Sequence, residues 1–126
     1  LFAKASYNDG KNETWCFTEI DRAISFGSSI KGTKWKRKDD VIGLAYCISG
    51  LSNEHANYLA NGGLGFMLGD GKINYSSEHL FESFYSASFL NGRCTPSLVY
   101  QIIINPGYNK DRGPINVFSI RLHLTI

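Results

Sequence analysis

Phe118-Ser119-Ile120-Arg121-Leu122-His123-Leu124-Thr125-Ile126 closes the chain with an unbroken two-residue period. Phe118, Ile120, Leu122, Leu124 and Ile126 fall on one side, and Ser119, Arg121, His123 and Thr125 on the other. Side chains of an extended strand alternate between faces, whereas a helix would scatter these residues around its axis. The stretch is therefore a strand with one greasy face. The same period recurs upstream. Ile42, Leu44, Tyr46 and Ile48 oppose Gly43, Ala45, Cys47 and Ser49, and Ile20, Ile24, Phe26 and Ile30 oppose Glu19, Asp21, Ser25, Gly27 and Ser29. Working outward, six strands are expected, over residues 1–7, 17–30, 40–49, 78–90, 95–104 and 115–126. Turn signals separate them at Asn8-Asp9-Gly10, Lys31-Gly32-Thr33, Asn91-Gly92 and Asn105-Pro106-Gly107. The one helical candidate, Asn53 to Ala60, lies inside the long connection from Leu51 to Ser76. The expected fold is all-β: an antiparallel up-and-down meander of about six long strands. Each strand should pair only with its sequence neighbours, so the first and sixth should not pair.

Two architectures share this alternation. A soluble sandwich turns its greasy faces inward, and a membrane barrel turns its greasy face to lipid. Composition removes other classes. Of the 126 residues, 19% are charged, too many for a helical membrane protein, and no apolar run approaches the roughly 18 residues of a spanning helix. Aromatic residues make up 13% and the net charge is only +2, which argues against disorder. Lengths favour the barrel. Several expected strands run about 10–14 residues, against about 5–6 in ordinary sheets and about 9–11 in tilted membrane strands. If the final residue stands on the periplasmic side, the short link at Asn91-Gly92 is periplasmic and the longest connection external, the arrangement of outer-membrane barrels. The chain opens on Leu1 and its only methionine is Met67, which reads as a fragment of a longer chain.

Several stretches, in order along nearly the whole chain, resemble the carbohydrate-selective porin family of the OprB type. They are Asn8-Asp9-Gly10-Lys11-Asn12-Glu13-Thr14-Trp15 with Phe17-Thr18-Glu19-Ile20-Asp21-Arg22, and Asp39-Asp40-Val41-Ile42-Gly43-Leu44-Ala45-Tyr46. They continue with Gly62-Gly63-Leu64-Gly65-Phe66, Gly69-Asp70-Gly71 and Asn74-Tyr75. The last are Tyr100-Gln101, Asn105-Pro106-Gly107-Tyr108-Asn109, Asp111-Arg112-Gly113-Pro114 and Arg121-Leu122-His123. The resemblance implies that residues 1–126 are the C-terminal part of a porin barrel in the bacterial outer membrane. Its implied partners are small sugars, which pass by diffusion, outer-membrane lipid, and two further copies in a homotrimer of the full-length protein. It implies no enzyme activity and no cofactor. The chain departs from the porin pattern at its last residue, Ile126, where an aromatic is usual. The alternative function is a soluble, secreted β-sandwich that binds sugars.

The non-greasy face carries the site candidates. By parity these are Lys4, Glu19, Asp21, Glu82, Gln101, Arg121 and His123. In a porin they would line the lumen, where carboxylates accept hydroxyl hydrogen bonds and Arg donates them. Glu82, Gln101, Arg121 and His123 sit on three successive strands and are expected to share one face, where those at matching height could contact one sugar together. Trp15, Phe17 and Tyr108 lie near strand ends on the outer side, where an interfacial aromatic girdle is the first reading and stacking on a sugar's apolar face the second. Ile20, Ile24, Ile42, Leu44, Tyr46, Ile48, Ile120, Leu122 and Leu124 are expected on the lipid side, with Arg22 breaking the pattern near the external rim. Other motifs read blandly. Gly71-Lys72 is followed by Ile73, not Ser or Thr, so the glycine-rich stretch is no phosphate loop. Lys31, Lys34, Lys36, Arg37 and Lys38 around Trp35 form a solvated turn at a membrane boundary, not a nucleic-acid patch. His55, His79 and His123 have no metal-ligand spacing. Cys16, Cys47 and Cys94 define no disulfide framework.

Overall fold

The computed structural model describes residues 1–12, 19–65, 68 and 71–125. Six strands follow one another: β1 (Phe2–Tyr7), β2 (Arg22–Gly32), β3 (Arg37–Gly50), β4 (Glu78–Ser86), β5 (Cys94–Ile104) and β6 (Ile115–Leu124). One helix, α1 (Asn53–Ala60), interrupts the β3–β4 connection. The strands form one sheet in the order β1-β2-β3-β4-β5-β6, every pair antiparallel. This is the expected meander, and β1 and β6 are its two open edges. The described residues supply no second sheet to cover the greasy face, as a sandwich requires.

Register decides the faces. Directly opposed residues share a face, so one row runs Phe26, Tyr46, Phe81, Ile102 and another Ile30, Ile42, Tyr85, Leu98, Ile120. These rows, with Ile24, Leu44, Ile48, Leu122 and Leu124, make one continuous apolar face. Ile120 is 77% exposed and Ile24 58%, so this face is laid open rather than packed into a core. Ile20 stands just ahead of β2, also exposed. The opposite face mixes Lys4, Ser25, Cys47, Glu82, Gln101 and Arg121 with Leu80, Phe84, Val99, Ile103, Ile115 and Val117. It is thus less uniformly polar than strands two, three and six alone suggest.

The two ends of the sheet differ. At one end the links are tight. A 3₁₀ turn at Thr33–Trp35 joins β2 to β3, with Lys36 in the left-handed region and a register shift at Lys31/Gly32. The β4–β5 link turns at Leu90, Asn91 and Gly92, all at positive φ. Here Asp40, almost fully buried, draws the two turns together. Its carboxylate accepts from the Ser88 N–H at 2.9 Å, from the Arg37 Nε–H and from the Tyr85 hydroxyl. The Arg37 guanidinium also lies 5.0 Å from the Phe89 ring centre, a cation–π contact. At the other end are the long connections 8–21, 51–77 and 105–114. Described residues of the last two meet around Leu51, Leu59 and Tyr108, with Leu68 and Ile73 packed alongside. This cluster, not the sheet, is the chain's buried core among the described residues.

A Cβ added at Gly32 would stand 2.1 Å from the Arg37 carbonyl oxygen, and one at Gly113 would meet nothing within 4 Å. Backbone cannot swing aside as a side chain can. Gly32→Ala is therefore expected to lower the stability of the folded protein by about 1–3 kcal/mol. Gly113→Ala should leave it unchanged. Urea unfolding midpoints of the two variants, compared with the parent, check this.

Candidate functional site

On the face opposite the apolar one, β4 and β5 set Glu82 directly across from Gln101. The Gln101 amide Nε2–H donates to Glu82 Oε2, holding both heads at one height. Lys4 is on the edge strand β1, opposite Ser25. Arg121 pairs with Ser97 and His123 with Thr95, whereas Gln101 pairs with Val117. Four residues on β6 separate Val117 from Arg121, about 13 Å at the usual strand rise, and His123 lies about 20 Å away. The shared face expected of Glu82, Gln101, Arg121 and His123 is found, and their heights differ. They share a face of three neighbouring strands, but only Glu82 and Gln101 share a height. Parity was readable before the register was known; height was not.

Glu19 and Asp21 also stand elsewhere than expected. β2 begins at Arg22, so both belong to the connection before it, and both are buried. Asp21 Oδ2 accepts the Ser52 N–H at 2.7 Å and faces His55 Nδ1 at 3.0 Å. The Asp21 N–H donates to Gly50 O at 3.1 Å, and Asp21 O accepts the Asn8 N–H at 2.5 Å. One residue therefore ties the end of β1, the end of β3 and the start of α1. Glu19 Oε2 accepts the Leu68 N–H at 2.7 Å, and Glu19 O accepts the Tyr108 hydroxyl at 2.9 Å. These two acids organise the loop end of the sheet rather than line its wall.

Tyr108 departs from expectation in the same way. It sits in the 3₁₀ turn Pro106–Tyr108 at φ 61, buried in the loop core, so it presents no ring to a solute. Trp15, Phe17 and Ile126 lie outside the described residues. Arg22 is where the rim reading puts it, at the loop end of β2. Its Nε–H and Nη2–H donate to Leu51 O at 3.1 and 2.8 Å. Tyr75 donates its hydroxyl to the same carbonyl at 3.3 Å.

Ser52, Glu54, His55 and Tyr58 were not singled out as a group from sequence. Ser52 caps α1, its Oγ accepting the His55 N–H at 3.1 Å, a polar N-cap one residue before the expected helix. Glu54, His55 and Tyr58 share a face of α1 by their three- and four-residue spacing. That spacing was visible, but what α1 faced was not. Across from it, Gly10, Lys11 and Asn12 of the first connection complete an open cleft of about 380 Å³ with Glu19 and Leu64. A broader hollow of about 610 Å³ lies on the apolar face, between Tyr7, Ile24, Ile48 and Tyr75. Among the described residues no group of three or more His, Cys, Asp and Glu side chains is placed to hold a metal ion. Cys47 and Cys94 are free thiols on opposite faces of the sheet.

An open antiparallel meander with one exposed apolar face and one face of mixed polar, charged and apolar residues is consistent with a stretch of barrel wall. The comparison with protein families agrees: the model for carbohydrate-selective porins, OprB family, matches residues 1–126. The chain belongs to that family. No curated protein and no solved structure matches it.

Two outcomes follow for the loop core. Burial pushes the Tyr108 hydroxyl up to about 12 from its ordinary 10.0. The folded protein therefore holds that proton more tightly than the unfolded chain does. The stabilisation is complete below pH 10 and is lost as pH rises through about 12. The ultraviolet tyrosinate titration should lose its highest step in Tyr108→Phe. Asp21→Ala leaves buried donors unpaired, at about 1–3 kcal/mol for each unsatisfied group. Limited proteolysis should then cut within 51–77 faster than in the parent, with strand content by circular dichroism retained.

Proposed function

We propose that the chain is the C-terminal part of an outer-membrane porin barrel through which small sugars pass by diffusion. The observation that carries this is the pairing of a whole-length match to the carbohydrate-selective porin family with a sheet whose apolar face is laid open. In this reading the apolar face meets lipid. The tight turns with Trp35 stand at the periplasmic boundary, and the folded long connections stand outside. β1 and β6 join further strands, since six are fewer than the eight of the smallest common barrels. The opposite face then lines the water-filled lumen.

The lumen wall offers hydroxyl-binding groups in both senses. Glu82 accepts, the Gln101 amide does both, and Arg121, Lys4 and a ring N–H of His123 donate. Mixed signs suit a neutral polyhydroxylated solute better than an ion of either charge. Because Arg121 stands well away from the Glu82–Gln101 pair along the strand, a sugar would meet them in succession. Successive weak contacts suit a pore, where a solute held too tightly would not leave.

Sugar flux into liposomes carrying the full-length porin tests this. Glu82→Ala and Arg121→Ala should each alter the preference among small sugars. Their effects should add within about 0.5 kcal/mol, because the sites are further apart than coupled neighbours. Unchanged preference in both variants would remove these residues from the selectivity wall. Absence of sugar flux through the parent protein would overturn the porin reading itself.

A further inference from the structure

Away from the sheet, α1 and the first connection enclose the cleft of about 380 Å³, within the range of about 300–1,000 Å³ typical of small-molecule sites. Its walls are held by close backbone approaches. A Cβ at Gly10 would fall 1.9 Å from Ser52 Oγ, and Gly10 is at φ +69, so only glycine brings the first connection this near α1. A Cβ at Gly63 would fall 2.4 Å from the Tyr58 ring. The ring therefore lies on that backbone, fixed in place, while Tyr58 remains 49% exposed.

The chemistry of the lining is specific. Asp21 Oδ2 accepts the Ser52 N–H and stands 3.0 Å from His55 Nδ1, so Nδ1 is already engaged and Nε2 is the His55 nitrogen left for a ligand hydroxyl. Glu54, exposed one turn from Tyr58 on α1, offers an acceptor, and Asn12 and Lys11 offer donors from the facing connection. A half-exposed aromatic ring packed on the Gly63 backbone, with a carboxylate and an imidazole on its own wall and donors on the facing one, matches a pyranose, which has an apolar face and a rim of hydroxyls. A simple anion would meet Glu54 and Glu19 against the single Lys11.

We infer that this cleft is a docking site for a neutral saccharide at the loop mouth of the pore. Tyr58 stacks on the ring, and Glu54, His55 and Asn12 bind hydroxyls. The inference rests on the proposed sugar-porin function and adds to it a site outside the lumen wall. A sugar held loosely there raises the local concentration at the entrance.

The test is single-channel current through the full-length porin in a planar bilayer, with D-glucose added on the loop side. The parent protein should show glucose-dependent interruptions of current. Tyr58→Ala and Glu54→Gln should each weaken the apparent glucose affinity about fivefold, near 1 kcal/mol. Tyr58→Phe, which keeps the ring, should stay within about twofold of the parent. Lys34→Ala, at the opposite end of the sheet, should match the parent. Parent-like affinity in Glu54→Gln and in Tyr58→Ala would overturn the cleft as a sugar site and leave the porin reading standing. An equal loss in Lys34→Ala would also overturn it. If the parent shows no response to glucose on the loop side while sugar still crosses in the liposome flux assay, the cleft falls as a sugar site and the porin reading stands; if sugar flux is absent as well, both fall. Should Tyr58→Ala fail to assemble, Glu54→Gln, which removes only a charge, decides.

Discussion

Removing a carboxylate from water is expensive unless its oxygens find donors, and Asp21 is 1% exposed. It meets this constraint by taking the Ser52 N–H and facing His55, while its own backbone joins Asn8 and Gly50. Three connections far apart in sequence are thereby brought to one point. Once Ser52 is held, α1 starts where it does, because Ser52 is also its N-cap. Once α1 is held, Leu59 and Leu51 face Tyr108 and the loop core closes. Tyr108 in turn donates to Glu19, two residues before Asp21. The loop end of the sheet is a closed circuit of hydrogen bonds around a small apolar centre.

The opposite end answers the same constraint with fewer parts. Asp40 is as deeply buried as Asp21, and its oxygens are satisfied by Arg37, Tyr85 and Ser88 from two adjacent turns. Strand β3 is thus held at both ends by a buried acid. Among the described residues the sheet between these points has no packed cluster beneath it. It is held by cross-strand pairing, by contacts such as Phe26 with Tyr46 and Tyr100 with Phe118, and by what its apolar face meets.

How much of this was legible follows from what each feature depends on. Face assignment depends on parity within a strand, and parity is written in the sequence. Phe118 to Leu124, Ile42 to Ile48, and Ile24 with Phe26 therefore take the faces expected of them. Helix α1 was legible to the residue, since its only competition was a loop. Glu19 and Asp21 were misplaced because parity was carried past the point where β2 begins. Nothing local marks that point; what ends the strand is Asp21 turning to Gly50 and Ser52, contacts made across 29 and 31 positions of chain. Tyr108 reads as an outward aromatic beside a strand end, yet its partner is Glu19, 89 positions away. Heights on neighbouring strands need the register, and the register is set by turns whose bulge at Lys31/Gly32 no alternation pattern records.

The asymmetry between faces and ends bears on what the fold can do. A closed soluble domain hides its apolar residues and places function in loops. Here the apolar face stays open and the loops have a core of their own. The loop cluster can therefore keep its shape without help from the sheet's faces, which leaves both faces free. One face is mainly apolar along its length, with Ser28, Ser83, His79 and Asn116 among its aliphatic and aromatic residues. The other changes character from strand to strand and from height to height, with Glu82 and Gln101 at one level and Arg121 at another. In the proposed pore, a wall that varies along its length would present a moving solute with a succession of different contacts, none of which needs to be strong, and selectivity without retention would follow from strand register as much as from residue type.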